Sequence, residues 1–537
     1  MKIKMMVIFL VLLLGIFLRF YKLDVIPNGI DSDEASQGYD AYSILKTGKD
    51  RYGEIFPIFL RSFGNYQSPL YTYLTIIPAS IFDLSVLATR LVSAISGIVI
   101  LICTFFLILN FKHVKRFEIA IITALFMAIS PWAVLFSRTA VEANLALALL
   151  VFSILLLVLS LDKHRWLFLI GCIFLSLSTY AYHAERIISV VFLGLFICFF
   201  KKQMFKEKKI LILGIIVFFI IQLPQLILIN SPAYKSRLDQ VQYWKDEYNN
   251  SHFKNIPFGQ SLSVIRKFSA QYIAYFSPKN IFFDADEQPI RSMPDLSVFY
   301  PWMLIPFIFG IRVFLKERSN SIVKILFLIL LISPIAAALT SEPFYTIRVL
   351  PLFWVITIMI SFGIFYILEK FKLIYLRYSF VIILVLFSLV LLYNSYFILL
   401  KYERMKSFGY YNAVLVKKLD EFGGNKIIID SARTNLGIWL FFLNKIDPSK
   451  LQKELKHYVQ KGYYSSIEFD DKYQIDNIEI KPLSFSDACK GNIIIGDPLS
   501  ISDNQAEGHK LKTIFEIKDL NNTIIFKGYS TNRDSKC

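Results

Sequence analysis

The chain opens Met1-Lys2-Ile3-Lys4 and runs without a charge through Val7-Ile8-Phe9-Leu10-Val11-Leu12-Leu13-Leu14-Gly15-Ile16-Phe17-Leu18 before Arg19-Phe20-Tyr21-Lys22. Such a start resembles a secretory signal, but no small-residue cleavage site follows it and a basic cluster does. It therefore reads as a retained membrane span. Similar apolar blocks recur along the 537 residues, each close to the ~20 needed to cross a hydrocarbon core. Only 18% of residues are charged and 55% are hydrophobic, whereas a soluble domain carries about 25% charged residues. The composition is that of a polytopic α-helical membrane protein.

Spans fall at about 5–20, 85–109, 118–136, 141–161, 166–183, 186–200, 210–230, 297–315, 322–340, 349–368 and 378–400. Basic residues cluster in every second loop: Lys112/Lys115/Arg116, Lys163/Arg165, Lys201 to Lys209, Arg312 to Lys324 and Lys370 to Arg377. They share the side of Lys2 and Lys4, which the positive-inside rule makes cytoplasmic. The net charge of +17 thus reports membrane orientation rather than nucleic-acid binding. Cys103, Cys172 and Cys198 lie in spans, while Cys489 and Cys537 are far apart, so neither a disulfide framework nor a metal cluster is expected. The expected organisation is a multi-span domain over 1–400, with outer loops 21–84 and 231–296, and an extracytoplasmic α/β domain over 401–537.

In the first loop, Asp31-Ser32-Asp33-Glu34 starts an amphipathic helix that ends at Thr47-Gly48. Ser32 or Asp33 is the expected N-cap, Gly48 the C-terminal stop, and Ala35, Tyr39, Tyr42 and Leu45 share one face. Pro69, after Gln67-Ser68, opens a second helix expected to lie along the membrane interface. The C-terminal segment predicts strands at 426–430, 477–480, 492–495, 514–517 and 523–527, with helices near 411–421, 433–443 and 449–460.

Ionisable residues near the outer ends of spans are the places to seek chemistry, because charge is costly there. Asp33 and Glu34 could deprotonate a hydroxyl, or simply cap their helix. Arg138 and Glu142 form either an i,i+4 helical ion pair or part of a site. Tyr182, His183, Glu185 and Arg186 suit interfacial anchoring as well as catalysis. Asp284, Asp286, Glu287 and Arg291 read best as a solvated loop. Tyr345 and Arg348 sit in a very short turn, where the arginine could grip a phosphate bidentately or snorkel to headgroups. No Walker or dinucleotide glycine loop occurs, nor a His-x-x-x-His or Cys-x-x-Cys pattern. Outer acids with arginines suit a transferase that uses a lipid-linked phosphosugar.

The ordered set Asp33-Glu34, Gln67-Ser68-Pro69-Leu70-Tyr71, Ser137-Arg138 with Glu142, Tyr275-Phe276-Ser277-Pro278, and Tyr345 to Pro351 with Arg348 resembles the GT-C glycosyltransferases. It is most similar to bacterial family 39 (protein O-mannosyltransferase-like) enzymes and aminoarabinose transferases, and Phe408-Gly409-Tyr410-Tyr411-Asn412-Ala413 opens a domain like theirs. The resemblance implies a polyprenyl-phosphate monosaccharide donor and a protein, lipid or glycan hydroxyl acceptor at the outer face of the cytoplasmic membrane. Asp33 would be the general base and Glu34 its helper. Glu142 matches a second acidic position, and Arg138 and Arg348 would stabilise the phosphate or local helix ends. Two departures stand out. Gln67 replaces a lysine before the Pro-Leu element, and Ser36 replaces an arginine, so phosphate binding passes to Arg138, Arg348 or Arg61. No cofactor is required for the expected inverting displacement, although a divalent metal could be held by Asp33, Glu34 and Glu142. A lipid-linked-glycan polymerase, ligase or flippase, or a non-enzymatic receptor or scaffold, is the alternative.

Overall fold

Each of the eleven predicted apolar stretches carries a helix in the computed structural model, which describes residues 2–162, 164–432, 436–465, 467–468, 472–489 and 491–531. Two units divide the chain. The first comprises the chain up to Leu23, Arg90–Asn230 and Lys235–Leu400; the second comprises Asp24–Thr89, Ser231–Tyr234 and the chain from Lys401.

Among the described residues, seven helices are long and apolar enough to cross a membrane, including Lys2–Phe20, Glu142–Asp162 and Ile374–Glu403. Three more predicted stretches give shorter helices, Leu167–Ala181, Glu185–Phe199 and Leu304–Lys316. The last starts later than expected because Pro301 turns the chain through a 3-10 segment first. Thr346–Lys370 has 89% of its most apolar window buried, against 22% for Lys2–Phe20 and 28% for Ile374–Glu403. Apolar side chains turned outward along whole helices are stable where lipid covers them, so the protein is a multi-pass membrane protein. Between the central Leu350–Lys370 helix and Leu304–Lys316 the backbones touch: a Cβ on Gly363 or Gly310 would strike the carbonyls of Pro306 or Met359. Small residues permit this approach where packing, rather than hydrophobic expulsion from water, holds helices together.

The predicted span 118–136 is not one helix. It bends by 57° between Arg116–Ile129 and Pro131–Ser137, because Ser130 is extended (ψ 134°) and Pro131 has no amide hydrogen to continue the first helix. The break strips the last carbonyls of their usual partners, and each is accounted for. Phe126 keeps its usual partner, the Ser130 amide at 2.9 Å, and also accepts from Ser130 Oγ at 2.7 Å. Met127 and Ala128 accept from Arg19 Nη2 and Nη1 at 3.2 and 3.1 Å, and Ile129 from the Tyr300 hydroxyl at 2.7 Å. Gly97 makes room for this, since a Cβ there would lie 2.7 Å from Arg19 Nε.

In the second unit, Ile427–Asp430 (β3), Tyr473–Ile475 (β4), Ile478–Lys481 (β5), Ile493–Gly496 (β6), Lys512–Lys518 (β7) and Ile524–Ser530 (β8) form a sheet in the order β4-β5-β3-β6-β8-β7. The hairpin of Leu60–Ser62 (β1) and Asn65–Gln67 (β2) stands apart from it. β3 is parallel to β5 and β6, and the remaining pairs are antiparallel. The isoleucine runs of β3 and β6 are buried throughout, as expected for strands covered on both faces. Strand β4 has only three residues, too few for alternation to reveal in the sequence. The predicted helix 433–443 is Leu436–Leu443 over the described residues, 433–435 lying outside them, as does Cys537.

Segment 24–89 is woven into this unit. Trp439 Nε1 donates to the Ile30 carbonyl and the Tyr39 hydroxyl to that of Ile446, both at 2.8 Å. Gln452 Nε2 reaches Ser43, Thr47 and the Asp50 carbonyl at 2.8–3.1 Å. Ala35 and Tyr39 are buried as predicted, but Tyr42 is half-buried and Leu45 exposed, because the helix buries a wider arc including Ser36, Gln37 and Asp40.

Replacing Arg19 with methionine keeps bulk but orphans buried carbonyls at about 1–3 kcal/mol each. The variant is expected to unfold at a clearly lower temperature than wild type in the same detergent, measured by a fluorescence melt. An unchanged midpoint would show that other groups cap the break.

Candidate active site

At the start of Ser32–Thr47 the N-cap is Asp31, not Ser32 or Asp33. Its Oδ1 accepts from the amides of Asp33 and Glu34 at 2.7 and 3.1 Å, and Glu34 Oε2 accepts from the Asp31 amide at 3.3 Å. The reciprocal pair is a capping box with acids at both positions. Asp31 wins the cap because its extended backbone (φ −79°, ψ 173°) aims the carboxylate back at those amides. Burial, and then the Glu34 and Asp33 carboxylates, push the Asp31 carboxyl well above its ordinary range. Asp33 is exposed, whereas Glu34 is 1% exposed. Asp33 Oδ1 takes a long bond from Gln67 Nε2 at 3.4 Å, so Gln67 stands beside the carboxylate. Gly48 ends the helix in the left-handed region (φ 71°), as expected.

Arg61, on β1, is fully buried. Its guanidinium lies 4.2 Å from the Tyr458 ring and donates to the Glu468 carbonyl at 2.6 Å. Nearby, Arg51 pairs with Asp40 at 3.1 Å with both side chains buried, and Arg51 also donates to Ser36 Oγ at 2.6 Å. Asp50 accepts from the Tyr463 hydroxyl at 2.5 Å. Neither carboxylate carries a motif; each is an ordinary acid that folding buries.

In the first unit, Arg138 is the C-cap of Pro131–Ser137, while Glu142 begins the next helix, so an i,i+4 pair along one helix is not the geometry. Arg138 is fully buried. It donates to the carbonyls of Leu18, Tyr21 and Lys22 at 3.0, 2.7 and 3.2 Å, with its guanidinium 5.1 Å from the rings of Tyr396 and Phe397. Those rings are presented by a π-helical turn, Tyr393–Leu399, which nothing in the sequence announced.

Tyr345 lies between two guanidinium groups, Arg291 at 3.5 Å and Arg348 at 3.7 Å from its ring centre. Arg291 grips Asp286 through Nε and Nη2, both at 3.0 Å, and reaches Glu342 at 2.9 Å. Asp286 Oδ2 also accepts from the Thr346 amide and hydroxyl at 3.1 and 2.8 Å. Asp286 and Arg291 are therefore buried (5% and 7% exposed), not a solvated loop. They pin the turn that carries Tyr345 and Arg348. Arg348 donates to Thr340 Oγ1. Tyr182 stands within electrostatic reach of Tyr345, Arg348, Arg237 and Glu142, so four of the residues singled out in the sequence share one neighbourhood. Among the described residues no group of three or more His, Cys, Asp or Glu is placed to hold a metal.

No family model matches the sequence, and no curated protein does. Solved structures do match. The chain covers 97% of itself and 97% of the aminoarabinose transferase ArnT from Cupriavidus metallidurans in the apo state, at 10% identity and a TM-score of 0.56. The same enzyme bound to undecaprenyl phosphate matches with a TM-score of 0.55 at the same identity and coverage. The fold is that of the GT-C glycosyltransferases. The oligosaccharyltransferase AglB from Archaeoglobus fulgidus, in complex with an inhibitory peptide and a dolichol-phosphate, is also found, with 13% identity, 99% of this chain, 75% of that one and a TM-score of 0.49.

The buried acids of the second unit set a pH dependence. Burial raises Asp40 to about 6, against the pull of Arg51. Burial, helped by the Asp40 carboxylate and opposed by the Tyr463 hydroxyl, raises Asp50 to about 8. A carboxyl raised in the folded state binds its proton more tightly there than in the unfolded chain. Its stabilising contribution is complete below the unfolded pKa and is lost as pH rises through the folded value. The melting midpoint is expected to fall between about pH 4 and pH 8, and Asp50→Asn, neutral throughout, to flatten that fall. Circular-dichroism melts of the full-length protein across this range check it; a midpoint that rises with pH would contradict it.

Proposed function

We propose that the protein is a glycosyltransferase that moves a monosaccharide from a polyprenyl-phosphate donor to a hydroxyl acceptor at the outer face of the cytoplasmic membrane. The observation that carries this reading is the division of labour in Asp31-Ser32-Asp33-Glu34. Asp31 and Glu34 are consumed by the capping box, while Asp33 presents an exposed carboxylate in the first helical turn. The helix N-terminus favours the ionised form that a base requires. In the reaction, Asp33 takes the proton of the acceptor hydroxyl as that oxygen attacks the anomeric carbon. The bond to the phosphate oxygen breaks on the opposite face, and the configuration inverts. A placed carboxylate contributes about 10²–10⁴-fold to such a step. Gln67 steadies the carboxylate by one long hydrogen bond at 3.4 Å.

Arg348 is the residue assigned to the departing phosphate. Its charge is oriented by Tyr345 and Thr340, and the Asp286–Arg291 pair holds the turn beneath it. Charge that grows on a leaving phosphate is stabilised by preorganised cationic donors. Arg138 and Arg61 are assigned to structure instead, since backbone carbonyls and aromatic rings already surround them. The cytoplasmic placement of the N-terminus and the outer placement of the C-terminal α/β region follow from the alternation of basic loops.

In membranes supplied with labelled donor, Asp33→Asn is expected to lower transfer by about 10²–10⁴-fold without changing expression. Normal transfer by that variant would remove Asp33 from the base role. Arg348→Gln is expected to cost about 10–100-fold in transfer, the worth of a charged hydrogen bond. Arg138→Gln should lower the melting midpoint first. If Arg138→Gln abolished transfer at an unchanged midpoint, the two arginines would exchange roles.

A further inference from the structure

The sheet of the second unit has a topological switch. The chain leaves the carboxyl end of β3 towards β5 on one side, and leaves the carboxyl end of β6 towards β8 and β7 on the other. In open sheets of this kind, connections that diverge from adjacent parallel strands leave a crevice where ligands bind. A cavity of about 670 Å³ opens at that place. It is bordered by Ala432 after β3, by Asp497 and Leu499 after β6, by Asn412 and Lys406 from the preceding segment, and by Thr523 before β8. Pockets that hold small molecules are typically about 300–1,000 Å³.

The groups on its walls select the ligand. A phosphate would need free backbone amides, but Asp497 Oδ1 already accepts from the amides of Leu499 and Ser500 at 3.0 and 2.7 Å, and Pro498 has none to offer. Lys406 and Asp497, one charge of each sign, both border the space, so its rim has no net charge that would favour a strongly charged ligand. A purely apolar ligand would leave the Asn412 amide and the Thr523 hydroxyl without partners. What remains is a neutral polyhydroxylated molecule: Asn412 can both donate to and accept from hydroxyls, and Leu499 (72% exposed) offers surface to C–H faces. We propose that this crevice is a saccharide-binding site for a neutral mono- to tetrasaccharide. Calling that saccharide the glycan of the acceptor rests on the transferase reading; its binding does not.

The test uses the full-length protein in nanodiscs on an array of immobilised hexose, heptose and N-acetylhexosamine oligosaccharides, neutral and acidic, with affinities of the hits measured by saturation-transfer NMR. At least one neutral oligosaccharide is expected to bind. Asn412→Ala should weaken it about fivefold, the worth of one neutral hydrogen bond, and Ala432→Trp, which fills the exposed mouth, should abolish it. Absence of any neutral hit, preference for acidic glycans, or equal binding by Ala432→Trp would overturn the proposal. No step of sugar transfer enters the readout, so failure of the transferase reading would leave this test standing.

Discussion

A buried guanidinium group that donates to backbone carbonyls, that of Arg19, lets the first unit break a span inside an apolar bundle. Carbonyls freed within a hydrocarbon layer have no water to turn to, so each must find a partner within the protein. Arg19 takes two of them and Tyr300 takes a third. Once they are satisfied, Pro131–Ser137 can leave at 57° and deliver Arg138 to the carbonyls that end Lys2–Phe20. The first helix and the broken span therefore cap one another. Glu142 starts its own helix only a few residues later, so its position follows from the same break.

The second unit uses polar burial in a different way. Its acidic helix is held by a capping box at one end, a left-handed glycine at the other, and bonds from Trp439, Tyr39 and Gln452 along its length. Buried Asp40 and Asp50 are costly groups, kept because Arg51, Tyr463 and backbone amides surround them. Such a network over-determines the loop that carries Asp33. A carboxylate that must act on a substrate can stay exposed only where its neighbours do the structural work, and here Asp31 and Glu34 do it.

The same logic explains Tyr345 and Arg348. Two guanidinium groups on one phenol ring repel each other, and the arrangement persists because Asp286 and Glu342 neutralise Arg291 from the far side. Arg348 is left with a hydroxyl partner in Thr340 and a ring for support. Its charge is thus oriented without being neutralised by those contacts.

Much of this was legible in the sequence because it depends on short-range rules. Apolar length gave the spans, isoleucine runs gave β3 and β6, and Gly48 gave the helix end. The cap was misplaced by one or two residues because three adjacent residues all suit that position, and only the backbone angle at Asp31 chooses among them. Asp286 and Arg291 read as solvated because charge near Gln288 and Pro289 usually is; their burial comes from Thr346 and Glu342, more than fifty residues away in the chain. By itself, then, the sequence determined a polytopic helical protein with an α/β region and the set of ionisable residues worth testing. Only the tertiary structure decided which of them hold the fold and which stay available. Local patterning sets where a chain crosses lipid or forms a strand, but a charged side chain's role depends on partners that distant segments bring to it.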